Sequence, residues 1–191
     1  MKKLKRFSQK ELRWDFYPLF LNLMKKGFET ESCLLMLSIW NSARFRYAVR
    51  GFNLDKFENT LKKLRPSFKK FEKLDFKTIN FRDYKSDIKK IFKTLAAIKG
   101  IEKTGTPKLM HLKVPKVFVM WDTFIREHYG FNEGGTDDYF DFLEKTQNIF
   151  KNAEVLKDRT LAKLIDEHHY ITITQPALEE QKKKRRKKLG K

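Results

Sequence analysis

Apolar residues recur every three or four positions along almost the whole of this chain, and that spacing restricts it to helices. Leu12, Phe16, Phe20 and Leu23 fall on one helical face before Gly27 stops the run. Phe57, Leu61 and Leu64 repeat the pattern in "LDKFENTLKKL", and Ile88, Ile91, Phe92 and Leu95 repeat it in "DYKSDIKKIFKTLAAI". "SCLLMLSIW" is apolar all round, which places a helix at the centre of a bundle. No strand–turn–strand series and no internal repeat interrupts the pattern. The expected class is all-α, a compact helical bundle.

Local signals set the expected boundaries. "SQKE", Ser8 to Glu11, is a capping box. Asn53 caps the next amphipathic helix, which Pro66 ends, with a short helix over Ser67–Leu74. Thr136 caps a helix whose first turn is acidic, and "DRTLAKLIDEHHY" is one more helix. "YITIT", Tyr170 to Thr174, alternates like a short strand or an extended terminus. Residues 1–175 are expected to form one domain, and 176–191 a disordered basic tail, too charged to pack.

Charge selects the partner. There are 43 Lys+Arg against 24 Asp+Glu, a net +19. The stretch Gln181–Lys191 supplies eight of these charges and leaves +11 on the remainder, so the body is basic too. A polyanion is the expected partner, with nucleic acid ahead of anionic lipid and of a merely lysine-rich surface. No run reaches the roughly 20 apolar residues of a membrane span, and "MKKLKRFSQKE" lacks the apolar core of a secretory signal. An intracellular, cytoplasmic protein associated with the nucleoid is expected, acting as a monomer and away from membranes. Cys33 is alone, which excludes a disulfide or a cysteine-held zinc or iron–sulfur site within one chain and leaves it a packing role.

The stretch "AAIKGIEKTGTPKLMHLKVPKVFVMWDTFIREHYG", Ala96 to Gly130, carries the specific signal. An amphipathic helix turns at Gly100 and restarts, and an apolar run then leads to Asp122. Two helices joined by a glycine-containing hairpin can present successive amides to one phosphate, with Lys99, Lys103 and Lys108 beside the turn. Arg44, Arg46 and Arg50 form a second basic face, open to phosphate contact or to solvent.

Lys99–Leu112 followed by Asp122 resembles the helix-hairpin-helix base-excision DNA glycosylases, and is similar above all to their 8-oxoguanine glycosylase/lyase branches. The resemblance covers about thirty-five residues in detail. It implies that Ile98, Gly100 and Ile101 stand in the Leu-Pro-Gly-Val-Gly hairpin, that Gly105 and Lys108 belong to its DNA-binding second helix, and that Asp122 is the catalytic carboxylate. Lys99 replaces the proline and Glu102 the second glycine. The nucleophilic lysine of bifunctional members falls on Thr104 in an ungapped match; Lys103, one residue before it, is the candidate nucleophile that a shift in the turn brings into register. No cofactor and no metal is implied; the partner is duplex DNA with a flipped base.

Such chemistry needs a carboxylate near the sugar, where positive charge builds as the N-glycosidic bond breaks, and aromatic surfaces around the extruded base. Trp40, Phe45, Tyr47 and Trp121 are candidates for the base pocket, with core packing as the alternative. Asp122 is equally an N-cap of "TFIREH", and the two roles can coexist. Asp166, Glu167, His168 and His169 lack the His-Glu-x-x-His spacing and are expected on a solvated helix end. The expectation is a glycosylase; the alternatives are a noncatalytic helix-hairpin-helix module that binds nucleic acid and, on charge alone, an RNA- or ribosome-associated protein.

Overall fold

The computed structural model describes residues 4–7, 12–155 and 158–189, with side chains from Phe16 onward in the first helix. The capping box at Ser8–Glu11 and the side chain of Leu12 lie outside the described residues. Ten α-helices follow one another, and no strand occurs among the described residues: α1 (Leu12–Lys25), α2 (Glu29–Trp40), α3 (Ser42–Ala48), α4 (Leu54–Lys69), α5 (Lys85–Ala96), α6 (Glu102–Lys113), α7 (Thr123–His128), α8 (Thr136–Phe150), α9 (Leu161–His169) and α10 (Gln175–Lys188). No helix among them is long and apolar enough to cross a membrane.

The periodic faces pack as their spacing dictates. Phe57, Leu61 and Leu64 of α4 and Ile88, Ile91, Phe92 and Leu95 of α5 are all buried. Asn53 caps α4 by accepting the Lys56 amide at 2.8 Å. Pro66 does not end α4, which continues to Lys69. Pro66 lies on the exposed side, so the missing N–H falls where water can replace it, while Ser67 and Phe68 extend the buried face. The face of α1 is also displaced: Tyr17 and Phe20 are buried, whereas Phe16 is 37% exposed. Gly135, rather than Thr136, holds the cap position of α8, and the Asp138 carboxylate reaches back to the Gly134 amide at 2.6 Å.

Two expectations at the C-terminal end are overturned. Tyr170–Thr174 is a π-helical turn joining α9 to α10, not a strand or an extended end. Alternation in "YITIT" is overridden because helices on both sides carry the backbone through it. The basic tail, expected without structure, continues as α10, a helix with no buried residue.

The run Val117–Trp121 is buried yet not helical. Its backbone, and that of Pro115 and Lys116 leading into it, therefore takes partners from elsewhere. Phe76 N–H donates to Lys116 O at 2.9 Å, the Tyr139 hydroxyl to Val119 O at 3.0 Å, and the Thr160 hydroxyl to Pro115 O at 2.6 Å. His111 Nδ1 bonds Phe118 O at 2.6 Å, while its Nε2 meets the Tyr17 hydroxyl at 2.8 Å. This pins an irregular strip through the core, and Asp122 stands at its end.

Candidate active site

Helices α5 and α6 form the hairpin around Gly100. Gly100 has φ +91°, and a β-carbon there would lie 2.5 Å from Ala48 Cβ. Its carbonyl accepts Asn41 Nδ2 at 2.9 Å. Gly105 meets the same corner of the fold, where a β-carbon would lie 2.9 Å from Asn41 Nδ2 and 3.0 Å from Leu37 Cδ2. Both glycines let the hairpin close onto α2 and α3. Glu102, where the resembled hairpin has its second glycine, takes φ +52°, a left-handed conformation that costs a side chain about 1–2 kcal/mol. Its carboxylate pairs with Arg44 at 2.9 Å. Among the described residues the amides of Lys99, Gly100, Lys103 and Thr104 donate to no protein acceptor.

The other residues expected on the DNA side divide in two. Ile101 and Phe45 are buried core, and Phe45 packs on Phe52 and Gly100 rather than in a base pocket. Lys99, Arg44 and Arg46 are exposed, with the Arg46 guanidinium lying 4.6 Å from the centre of the Tyr47 ring. Lys103, expected beside Asp122, is exposed instead, and its Nζ donates to Glu133 O at 2.5 Å.

Lys108 takes the place foreseen for Lys103. It is buried on α6, its Nζ donates to Thr104 O at 3.1 Å, and it lines a cavity of about 80 Å³ together with Asp122. Thr104 and Lys108 are one helical turn apart, so they share a face. The cavity wall also includes Trp40, Trp121, Phe7, Tyr170, Lys163 and Asp166. Asp122, Trp40 and Trp121, named above as the carboxylate and as base-pocket candidates, thus line one cavity.

Asp122 is a cap and a cavity residue at once. Its Oδ1 accepts the Ile125 amide at 2.9 Å, and its Oδ2 accepts the Thr174 hydroxyl at 2.7 Å. Trp121 is in the core, packed edge-on to Phe92 and Tyr139. Trp40 stacks on Tyr17 with ring centres 6.0 Å apart, and its buried Nε1 has no hydrogen-bond partner among the described residues.

Sequence reasoning missed the far wall. Lys163 is 1% exposed, with Nζ 2.7 Å from Asp166 Oδ2 and 3.7 Å from Glu167 Oε1. The same Nζ lies 5.0 Å from the Tyr17 and Trp40 ring centres and 5.4 Å from that of Phe7, within cation–π range of all three. Glu167 is fully buried, paired with Arg159 at 3.1 Å and accepting the Phe7 amide at 3.0 Å. Burying ions costs several kcal/mol each unless partners replace water, and these partners do. His169, expected at a solvated end, is 1% exposed and bonds the Tyr129 hydroxyl through Nε2 at 2.8 Å. The only clue in the sequence was the apolar side of "LAKLIDEHH", on which a lysine and a glutamate recur at a spacing of four.

Among the described residues no group of three or more His, Cys, Asp or Glu side chains could hold a metal ion. The chain matches no protein-family model, no curated protein and no solved structure.

Proposed function

We propose that this chain binds duplex DNA and removes a damaged base by cleaving its N-glycosidic bond. The observation that carries the reading is one cavity lined by a carboxylate, Asp122, an amine, Lys108, and aromatic rings, with Lys108 and Asp122 supplied by the hairpin helix and the segment that follows it. The unpartnered amides at Lys99, Gly100, Lys103 and Thr104 supply donors for a phosphate, and the net charge of +19 supplies general attraction.

In this reading the base leaves the stack and enters between Trp40 and the rings opposite. Asp122 stabilises the positive charge that grows on the sugar as the bond to the base breaks. Lys108 attacks C1′ through its nitrogen lone pair once an ammonium proton has passed to solvent or a carboxylate. The bonding electrons depart with the base, and the adduct nitrogen sheds a further proton to solvent. The nitrogen lone pair then closes a C=N bond as the sugar's C1′–O4′ bond opens and O4′ takes a proton. The resulting Schiff base permits strand cleavage by elimination. Lys163 and Asp166 are the polar pair that faces the base.

The test is incubation with end-labelled duplexes that each carry one lesion, with and without alkali, followed by borohydride trapping. Wild type is expected to release a base, and Asp122→Asn to release it at least about 100-fold more slowly. Lys108→Gln should abolish trapping while Lys103→Gln retains it. Trapping lost only with Lys103→Gln would return the nucleophile to that residue.

A noncatalytic nucleic-acid-binding module is the second reading. It is favoured by the protein partners on both Asp122 oxygens, as in a purely structural cap. Binding without base release from any lesion would select it.

A further inference from the structure

We infer that Thr174 is a positioning residue for Asp122, an inference that rests on the glycosylase reading. The cap bond from the Ile125 amide fixes one carboxylate oxygen only. A carboxylate held at one oxygen can still turn about its Cβ–Cγ bond, which moves the other oxygen. The Thr174 hydroxyl holds that other oxygen at 2.7 Å, from a residue 52 positions away in the chain.

Five other threonines in helical backbone show that this contact is not a default. Thr60, Thr94, Thr106, Thr146 and Thr172 all donate to the carbonyl four residues back, at 2.6–2.8 Å. That local bond is the usual one for a helical threonine. Thr174 also lies in helical backbone, yet its hydroxyl crosses to Asp122. It is 3% exposed, so the bond is sheltered from competing water.

The backbone at this point is unusual as well. Tyr170–Thr174 is the π-helical turn, and it packs against α7, the helix that Asp122 caps. Such turns are rare and frequently occur at functional sites, because one extra residue per turn re-aims the side chains that follow. Here the turn starts at Tyr170, a cavity residue, and ends at Thr174, the partner of Asp122. One irregular turn therefore supplies both a wall of the cavity and the second anchor of its carboxylate.

Two donors, one on each oxygen, hold the carboxylate in one plane, and a carboxylate fixed in place is what stabilises a growing sugar cation. Thr174 touches neither sugar nor base in this arrangement. It acts through Asp122.

The experiment compares Thr174→Val, which keeps the shape and loses the donor, with Thr174→Ser, which keeps the donor. Single-turnover base release and DNA affinity are measured for the full chain. Thr174→Val should slow base release about tenfold or more, within the ~100-fold that a misplacement of 1 Å can cost, with DNA affinity unchanged. Thr174→Ser should restore the rate to within about threefold. A merely structural threonine predicts lowered thermal stability in Thr174→Val and an unchanged rate per folded molecule, which would overturn the assignment alone. Equal loss in Thr174→Ser would overturn it too. A wild-type chain that releases no base from any lesion overturns the glycosylase reading and this role with it.

Discussion

Trp121 Nε1 donates to the carbonyl of Lys103 at 2.9 Å. That carbonyl would ordinarily accept the amide four residues on, but residue 107 is proline and has no N–H to give. The indole fills the gap, and in doing so ties the residue before Asp122 to the first turn of α6. Trp121→Phe keeps the ring packing and removes the donor. It should destabilise the protein by about 1–3 kcal/mol, read from the denaturant midpoint at unchanged slope. An unchanged midpoint would show that water replaces the indole.

Gly100 should answer to stability before it answers to DNA. A β-carbon at this position meets Ala48 Cβ at 2.5 Å with φ at +91°, so the hairpin must move away from α3. Gly100→Ala should cost about 2–4 kcal/mol, the combined scale of a left-handed side chain and an overpacked contact. Thermal unfolding measures it. A variant as stable as wild type would show that the hairpin is not pressed against α3 in solution.

His111 makes folding sensitive to acid. Burial pushes its pKa down from the ordinary 6.5 to about 4, and the Phe118 carbonyl offsets this only in part. The unfolded chain binds the proton below about pH 6.5, whereas the folded chain resists it until about pH 4. Stability from this residue is therefore complete above pH 6.5 and lost as pH falls toward 4. The loss is on the order of 3 kcal/mol. Unfolding free energy measured from pH 7.5 to 4 should fall accordingly, and His111→Asn should flatten that slope while lowering stability at pH 7.5.

Removing Gln181–Lys191 should reduce the salt dependence of DNA binding without abolishing binding. Each phosphate contact contributes about 0.9 to the slope of log affinity against log salt, so losing eight basic residues lowers it by at most about 7. Titrations between 50 and 200 mM salt read the slope. If the truncated chain no longer binds at low salt, the body presents no DNA surface.

The local chemistry of the chain was legible in its residues. The faces of α4 and α5 followed from apolar spacing, and the caps at Asn53 and Asp122 bond amides only three residues away. Such features depend on a few neighbouring residues, so the order of the chain suffices to find them. The hairpin at Gly100 was legible for the same reason, and Glu102 keeps a glycine-like φ despite its side chain.

The cavity was decided by the tertiary fold. Which lysine faces Asp122 depends on the start of α6 at Glu102, since each residue turns a helix by about 100° and Lys103 lies about 140° from Lys108. The far wall joins Phe7 to Glu167 across 160 positions and Asp122 to Thr174 across 52. No periodicity encodes those distances. Lys163, Glu167 and His169 look like solvent-facing residues in sequence because an ion is costly to bury, and only the assembled partners (Asp166, Arg159, Tyr129 and the surrounding rings) make their burial affordable.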